Sequence, residues 1–514
     1  MTKTITAALL GGLAGAAMAI SAAGAAEPTR ARIDALLPEF EQQVAAAMKA
    51  FSVPGVAIGI VHDDALIYAK GFGLRAQGKP DRVTADTVFQ VGSTTKAFLG
   101  VTFAQAVDAG RLAWADRVVD RHPAFQLADP WVARDFRILD IAAQRSGLTP
   151  YVNDGLAMLG FDAATMIRAM RAAPQLGLFR SDFRYLNVPH LVGGEIVATV
   201  NGSANWFESL KASVLDPLGM TATSASPDAI MAAADHAIGH RLAEQPVAVP
   251  FHQAFPYALG PAGALNSTVP DMAKWLRLQL GRGHFGDKVV VSEDNLDVTW
   301  TPRVAINERS AYGVGWVIST TPRGRIIWHN GGTIGFGAHA GFLPDARTGI
   351  VVLTNLENGG MPDALAQWFY DRVLGNPTVD NIALGAEAAR ERYAAAKAEI
   401  ESFVTGPLPA KAADLAGTYT SPILGSATVT RAEGGLRLVL EKTDAVIALA
   451  PNRDDPFLFQ ATLTPEGDYA GPAALSGGMP FTRVRFETDN AGRVATMRWL
   501  SPELPHSFDR SAAP

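Results

Sequence analysis

The hydrophobic positions of the first 110 residues follow a helical spacing, then a strand-like spacing, then a helical one again. Between residues 30 and 50, apolar side chains recur every three or four positions, which predicts a helix with one buried face. Two β-rich apolar runs, 53–61 and 65–73, are joined by a short polar turn, and this pattern predicts a hairpin. A second helix is predicted from about residue 93 to Gly110.

The middle of the chain has a mainly helical pattern, and strand-like runs return after residue 310. Helices are predicted at 188–200, 271–280 and 363–374, and strands at 312–319, 325–329, 337–343 and 349–355. Because two groups of strands enclose the helical middle, we expect one antiparallel sheet flanked by helices, with a separate helical region. The predicted fold class is therefore α/β (α+β).

The pattern changes twice more towards the end of the chain. Asn376-Pro377 ends the preceding helix, and a charged, Ala-rich helix is predicted at 386–403. From residue 412 onwards short strands alternate with turns, at 417–420, 426–430, 436–440, 481–486 and 494–500. These changes predict a main domain at 27–378, a helical linker at 379–411 and a small all-β domain at 412–514.

The first residues have the pattern of a targeting segment. Lys3 gives a positive start, residues 5–20 are apolar, and Ala23-Gly24-Ala25 offers small residues for cleavage. We therefore predict a signal peptide at 1–26 and a periplasmic or secreted mature protein. No later run is long and apolar enough to predict a membrane span.

Composition narrows the function classes. A chain of 514 residues is long enough for two domains, and its net charge of −6, without a run of Lys and Arg, gives no reason to expect nucleic acid as a partner. The absence of Cys excludes thiol catalysis, thiolate metal sites and a lipid-modified Cys.

A serine and a lysine stand three residues apart at the predicted start of the second helix. Ser93 and Lys96 fall on one face of its first turn, within reach of each other. A serine hydroxyl needs a base to become a nucleophile, and a lysine desolvated by the apolar run 97–104 can lose its charge and serve as that base. Alone, the motif is equally typical of a serine N-cap followed by a surface lysine.

Two further fragments offer partners for this pair. Tyr185 and Asn187 precede the helix at 188–200, where a phenol and an amide can face one cleft; a core tyrosine with a capping asparagine has the same pattern. His329, Gly331 and Gly332 follow an apolar strand, where glycines let backbone N–H groups approach an oxyanion. A strand followed by a Gly-Gly turn is the simpler alternative.

In this order, the three fragments resemble the penicillin-recognising serine hydrolases, in the branch of class C β-lactamases, serine-type DD-peptidases, D-aminopeptidases and related esterases. Residues 93–96 match their S-x-x-K element, 185–187 their Y-x-N element and 329–331 their K/H-x-G element. The resemblance covers roughly residues 30–375, and the region from 412 resembles the small β-domain appended to many such hydrolases. It implies a β-lactamase/transpeptidase-like fold for the main domain.

The resemblance implies a two-step acyl transfer without a metal or organic cofactor. Ser93 would attack a carbonyl carbon, Lys96 would accept its proton, and Tyr185 would pass a proton to the leaving group. Asn187 would help to position Lys96 and the substrate. His329 would offer a hydrogen bond or partial positive charge to a substrate carboxylate.

The same resemblance gives the glycine fragment a role in binding. The backbone N–H groups of Ser93 and Gly332 would form the oxyanion hole, and Gly331 belongs to the same substrate-binding strand. Two departures from the usual pattern stand out: His329 stands where most β-lactamases have Lys, and the segment Ala143-Gln144-Arg145 stands where relatives often have a His. Because histidine is largely neutral at pH 7, the first difference favours peptidase-like or esterase-like relatives.

The expected substrates are therefore small peptides or amides, D-residues included. Carboxylesterase activity, class C-like β-lactamase activity and a non-catalytic binding or sensor module are the alternatives. A Ser-His-Asp hydrolase of the α/β type is not predicted, because the chain has no G-x-S-x-G element. His236 and His240 have the spacing of a zinc pair on a helix, but no Glu stands beside them, so no metal site is predicted.

Overall fold

The computed structural model describes residues 30–243, 245–377 and 379–511. The predicted signal peptide lies outside these ranges. Within them, no helix has the length and apolarity needed to cross a membrane. The longer helices are α1 (Arg30–Phe51), α2 (Thr95–Asp108), α3 (Ala163–Ala169), α4 (Val188–Asn201), α5 (Val269–Leu280), α6 (Glu293–Trp300), α7 (Met361–Leu374), α8 (Asn381–Glu401) and α9 (Ala470–Ser476).

A central antiparallel sheet organises the first 375 residues. Its strands are β1 (Gly55–His62), β2 (Ala65–Gly73), β3 (Val304–Ala305), β4 (Ser310–Tyr312), β5 (Val317–Thr321), β6 (Gly324–Thr333), β7 (Phe336–Leu343) and β8 (Thr348–Thr354). They lie in the order β2-β1-β8-β7-β6-β5-β4-β3. The N-terminal hairpin therefore joins the later strands in one sheet, which confirms the predicted fold class.

Helices cover both faces of this sheet. Alternate residues of β1 point to opposite sides: Val56 and Ile58 pack with α1 and α7, whereas Ala57 and Val61 pack with α2 and α5. A strand buried on both faces has no polar positions to alternate with apolar ones, which explains the continuous apolar run of the sequence. The sheet is thus the middle layer of three.

Helix α2 lies at the centre of the molecule. Its residues from Thr95 to Ala104 are all buried, because the sheet and α5 cover one side and the helical region covers the other. Phe98 stacks on Trp275 of α5, with ring centroids 3.8 Å apart, while Phe103 packs into the helical region. A helix surrounded in this way is apolar all round rather than amphipathic.

Shorter elements fill the helical region between α2 and β3. Helical turns include Gly92–Thr94, Val118–Arg121, Pro130–Asp135, Ile138–Ile141, Asp154–Leu159, Trp206–Leu210, Pro227–Ala232 and Tyr257–Ala262. Two-residue strands pair Phe89–Gln90 with Asn266–Ser267, His240–Arg241 with Val247–Ala248, and His284–Phe285 with Lys288–Val289. The first of these pairs leads directly into the turn that carries Ser93.

The C-terminal region forms a closed eight-stranded barrel. Its strands are β9 (Gly417–Ser421), β10 (Gly425–Ala432), β11 (Gly435–Leu440), β12 (Ala445–Pro451), β13 (Leu458–Leu463), β14 (Thr482–Thr488), β15 (Val494–Trp499) and β16 (Ser507–Arg510). The sequence pattern predicted five of them and missed β12, β13, β16 and the helix α9. The prediction of an all-β C-terminal domain is nevertheless confirmed.

The barrel does not stand apart from the helical region. Its buried residues, including Leu438 and Phe486, belong to one continuous apolar cluster with Leu156 and Leu159 of the helical region. Helix α8, in the predicted linker, packs along α1 and α7 rather than spanning open space. The boundaries proposed from the sequence at 378 and 411 remain a prediction.

We expect the stacking of α2 on α5 to contribute strongly to stability. Trp275 is fully buried between Phe98 and Trp316. Substituting Trp275→Ala leaves a cavity and should lower the free energy of unfolding by about 3–5 kcal/mol. Urea denaturation followed by circular dichroism measures this loss. The control is Trp131→Ala, at a ring that is 67% exposed, which should cost about 1 kcal/mol or less; equal losses would contradict the expectation.

Candidate active site

Ser93 lies in a tight turn at the start of α2. The preceding Gly92 has φ +52°, and a Cβ there would come within 2.7 Å of the backbone nitrogen of Gly332. The Thr95 hydroxyl donates a hydrogen bond of 2.6 Å to the carbonyl of Gly92, which fixes the turn. A glycine is therefore required at this point, because the turn presses against strand β6.

The predicted strand end before the two glycines is wrong, and the strand continues. Strand β6 runs through His329, Gly331 and Gly332 to Thr333, paired with β7 along its whole second half. Its pairing with β5 stops at Trp328. Beyond that point its other edge pairs with no strand among the described residues and faces the Ser93 turn. This edge extends the sheet to the nucleophile.

Gly331 permits the close approach of this edge to the turn. A Cβ at residue 331 would lie 2.0 Å from the carbonyl oxygen of Val91, a distance that no side chain tolerates. The next residue, Gly332, is exposed, with its backbone beside Gly92. The two glycines thus give a strand edge that can meet a substrate oxygen close to Ser93.

Lys96 is fully buried, and its amine has three hydrogen-bond acceptors. Its Nζ lies 3.0 Å from Ser93 Oγ, 2.6 Å from Asn187 Oδ1 and 2.7 Å from the carbonyl oxygen of Ala262. Burial disfavours the charged ammonium and lowers the pKa of Lys96 to about 7, although the negative charge of Asp154 opposes this shift. The amine is therefore close to half-deprotonated at neutral pH.

Asn187 connects Lys96 to a buried carboxyl group that sequence reasoning missed. The Nδ2 of Asn187 donates to Asp154 Oδ2 at 2.6 Å while its Oδ1 accepts from Lys96. Burial raises the pKa of Asp154 to about 7, whereas the hydrogen bond from Asn187 and the charge of Lys96 lower it. A carboxylate at a turn was visible in the sequence, but no spacing relates position 154 to position 187.

Tyr185 covers the amine of Lys96 from another side. Its ring centroid lies 4.7 Å from the Lys96 Nζ, and Tyr151 and Tyr312 pack against it. Burial raises the pKa of the Tyr185 phenol well above its usual value, and the adjacent Ser93 hydroxyl opposes that shift. The phenol is therefore protonated at neutral pH and can donate a proton or a hydrogen bond near Ser93.

His329 differs from the expectation of a partial positive charge. It is 2% exposed, and its ring nitrogens are engaged by the Tyr312 hydroxyl, 2.8 Å from Nε2, and by the backbone carbonyl of Asn330 at Nδ1. Burial, together with the nearby charge of Lys96, lowers the pKa of His329 to about 3. The imidazole is neutral, with Nδ1–H donating to the carbonyl and Nε2 accepting from Tyr312.

The loop around Arg145 braces the site rather than entering it. Arg145 forms a 2.6 Å ion pair with the buried Asp140. The neighbouring Gln144, with φ +55°, makes two hydrogen bonds to the backbone of Leu186, one from its Nε2 and one to its Oε1. Gln144, another residue missed from the sequence, thereby fixes the backbone between Tyr185 and Asn187.

The two histidines with zinc-like spacing do not form a site. His236 Nδ1 contacts the carbonyl of Ala233, whereas His240 bonds to the backbone of Gln77 and Asn355. In the described parts of the chain, no group of three or more His, Asp or Glu residues is placed to hold a metal ion.

The seven predicted residues thus come from three elements that meet at the start of α2. They are Ser93, Lys96, Tyr185, Asn187, His329, Gly331 and Gly332. An accessible hydroxyl, a deprotonatable amine, a protonated phenol and a free strand edge can together support attack on a carbonyl and transfer of protons. The role of each side chain in a reaction remains a prediction.

This fold is that of the serine hydrolases of the β-lactamase and penicillin-binding type. The chain belongs to the beta-lactamase family, whose sequence model matches residues 40–375. Its relatives include an unguisins hydrolase, ungD', of Aspergillus campestris, 28% identical over 346 residues that make up 63% of this chain and 62% of that protein. Penicillin-binding protein 4 of Amycolatopsis lactamdurans is 25% identical over 71% of this chain and 93% of that protein.

Solved structures share the fold over nearly the whole chain. The octameric penicillin-binding protein homologue from Pyrococcus abyssi aligns with a TM-score of 0.59 and 21% identity, covering 90% of this chain and 98% of that one. SurE aligns with a TM-score of 0.55 and 20% identity, covering 94% and 99%. At these identities the likeness is one of fold. Both alignments extend well beyond the family match.

We expect Gly331→Ala to impair the site while leaving most of the fold intact. The added Cβ would push β6 away from Val91 and misplace the strand edge relative to Ser93. Labelling of Ser93 by a fluorophosphonate probe should slow by roughly a hundredfold. The control is Gly359→Ala, where the nearest atoms would lie 3.9 Å from the new Cβ. Unchanged labelling of the Gly331 variant would show that the close approach is not needed.

Proposed function

We propose that this protein is a serine hydrolase that acts through an acyl-enzyme on Ser93, with small peptides or amides as substrates. The observation that carries the proposal is the 3.0 Å contact between the Ser93 hydroxyl and the amine of Lys96, whose pKa burial lowers to about 7. A nucleophile and a base within hydrogen-bond reach, the base itself held by a third group, is the arrangement that acyl transfer requires.

In the acylation step, Ser93 Oγ attacks the substrate carbonyl as its proton passes to the neutral amine of Lys96. The carbonyl oxygen becomes an oxyanion, which the N–H groups of Ser93 and Gly332 would stabilise, each contributing about 3 kcal/mol. Tyr185, protonated at neutral pH, would pass a proton to the leaving nitrogen as the amide bond breaks. The amine product leaves, and Ser93 remains as an ester.

In the second step, water attacks the ester on Ser93. The proton that Lys96 took from Ser93 first replaces the one that Tyr185 gave to the leaving nitrogen, so the amine is neutral again. Lys96 can then take a proton of the water, and a proton returns to Ser93 Oγ as the acid product leaves. Throughout the cycle Asn187 holds Lys96 in place, because its Oδ1 accepts a hydrogen bond of 2.6 Å from the Lys96 amine.

The surroundings of His329 bear on the choice of substrate. A neutral imidazole whose Nε2 already accepts a hydrogen bond from Tyr312 offers no charge to a carboxylate. This favours substrates without a carboxylate beside the scissile bond, and so disfavours β-lactams. A relative named as an unguisins hydrolase supports a hydrolytic reaction, and a fold neighbour solved with D-Leu is consistent with D-residues in the substrate. The predicted signal peptide supports action in the periplasm or outside the cell.

A hydrolysis panel tests the proposal. It contains D- and L-aminoacyl amides, a D-Ala-D-Ala peptide, short-chain p-nitrophenyl esters and a chromogenic cephalosporin, each assayed with the mature protein and with Ser93→Ala. We expect turnover of aminoacyl amides that is lost in the variant. Turnover of esters alone would make the protein an esterase. Faster turnover of the cephalosporin than of the other substrates would support the β-lactamase alternative. No turnover and no labelling of Ser93 would leave a binding module.

The pH dependence of acylation tests the role of Lys96. Because the lowered pKa leaves the amine neutral only above about 7, the acylation rate should fall as pH drops from 8 to 6, up to tenfold per unit. His329, with a pKa near 3, should add no step in this range. Lys96→Ala should reduce acylation by about 10²–10⁴-fold, whereas Lys70→Ala, at an exposed strand position, should not. Near-normal acylation in the first variant would refute Lys96 as the base.

A further inference from the structure

A loop of the C-terminal barrel contacts the turn that carries Asp154. Residues 501–506 connect β15 to β16, and the carbonyl of Glu503 accepts a hydrogen bond of 2.7 Å from the backbone N–H of Asn153. The Nε2 of His506 lies 2.9 Å from Asn153 Oδ1, and both side chains are almost completely buried. Burial lowers the pKa of His506 to about 4, so the contact is between neutral groups.

Apolar packing reinforces these two hydrogen bonds. Leu504 is 3% exposed and lies so close to Gly155 that a Cβ there would be 3.3 Å from its side chain. Leu504 also belongs to the apolar cluster shared by the barrel and the helical region. Hydrogen bonds and apolar packing therefore both hold the loop against the turn.

The turn itself has a backbone that needs external support. Tyr151 has φ +56° and Asn153 has φ +69°, in the left-handed region that residues other than glycine rarely adopt. Such a conformation persists when surrounding contacts hold it. The contacts of Asn153 with the barrel loop are of this kind.

The other side of the same turn faces the catalytic groups. The backbone N–H of Tyr151 donates to the carbonyl of Tyr185 at 2.9 Å, and Asp154 accepts the hydrogen bond of Asn187, which in turn accepts from Lys96. Hydrogen bonds thus lead from the barrel to the amine of Lys96 through a single turn of five residues, 150–154. A displacement of this turn would move the partner of Lys96.

We propose that the barrel loop 501–506 is part of the catalytic apparatus: it fixes the turn of Asn153 and Asp154, and Asp154 acts as a positioning residue for Lys96 through Asn187. The inference rests on the proposed hydrolase function and gives the C-terminal barrel a role in it. The barrel then cannot be exchanged for an unrelated domain without loss of acylation.

Several ionisable groups surround this network. Lys96, Tyr185, Tyr151 and Glu503 all act on Asp154 or are acted on by it, and His190 and His329, both neutral through burial, lie near Lys96. The second oxygen of Asp154, Oδ1, is buried without a hydrogen-bond partner among the described residues. When Asp154 is ionised, its charge favours the protonated form of Lys96.

Paired barrel variants test the first half of the inference. His506→Ala removes the contact with Asn153, and the control Tyr419→Phe removes another buried hydrogen bond, from Tyr419 to the carbonyl of Leu415 within the barrel. We expect His506→Ala to lower the acylation rate by roughly ten- to a hundredfold, with partial rescue by His506→Gln, whose amide can still donate. Tyr419→Phe should stay within about twofold of the wild type. Equal effects of the two variants would overturn the role of the loop.

Two variants of Asp154 test the second half. Asp154→Asn keeps an acceptor for Asn187 but removes the charge that raises the pKa of Lys96, so the acid limb of the acylation profile should move to lower pH, by about one unit. Asp154→Ala removes the acceptor as well, and its maximal acylation rate should fall much further. If the acid limb stays at the same pH in both variants and only the acylation rate falls, Asp154 has a structural role and does not act on the pKa of Lys96.

Hydrogen exchange separates this inference from the proposed function. The amides of 151–154 should exchange faster in His506→Ala than in Tyr419→Phe, whether or not the protein turns over any substrate. If exchange is faster in His506→Ala but the wild type shows no Ser93-dependent turnover, the contact between loop and turn is supported and the proposed hydrolase function is refuted. Turnover in the wild type with exchange and acylation unchanged in His506→Ala would refute the inference alone.

Discussion

The burial of one amine constrains the rest of this structure. Lys96 lies on a helix that is enclosed by the sheet on one side and by the helical region on the other, so its charged form loses nearly all contact with water. A buried amine is tolerated only if acceptors surround it. Ser93, Asn187 and Ala262 are those acceptors, and they come from three different parts of the chain. The fold of the main domain brings these parts to one helix.

Much of the fold and of the site could be predicted from the sequence, because the patterns that indicate them are local. The spacing of apolar residues gave the bounds of α1, α2 and the first hairpin to within a few residues, and the barrel was recognisable as a series of short strands. Ser93 and Lys96 lie on one helical turn, so their proximity follows from helix geometry. The three short motifs were each weak, and only their common order connected residues 93, 185 and 329.

The other features of the site could not be predicted, because they depend on contacts between residues that are distant in the sequence. Asp154 and Gln144 support the site through hydrogen bonds to Asn187 and Leu186, and nothing in their sequence surroundings distinguishes them from ordinary polar loop residues. The neutral form of His329 was expected, but its complete burial and its contact with the Tyr312 hydroxyl could not be predicted. The extension of β6 through two glycines was missed because glycine usually ends a strand, unless another backbone must approach closely.

Under the proposed function, these groups together leave the site with little fixed charge. Burial lowers the pKa of Lys96 and raises that of Asp154, so burial acts against a fully charged ion pair between the two groups. His329 is neutral, and the Tyr185 phenol keeps its proton. A proton taken from Ser93 can therefore be held without creating a strong isolated charge. A substrate carboxylate would gain little from such surroundings, whereas the developing oxyanion needs only the backbone donors of the strand edge.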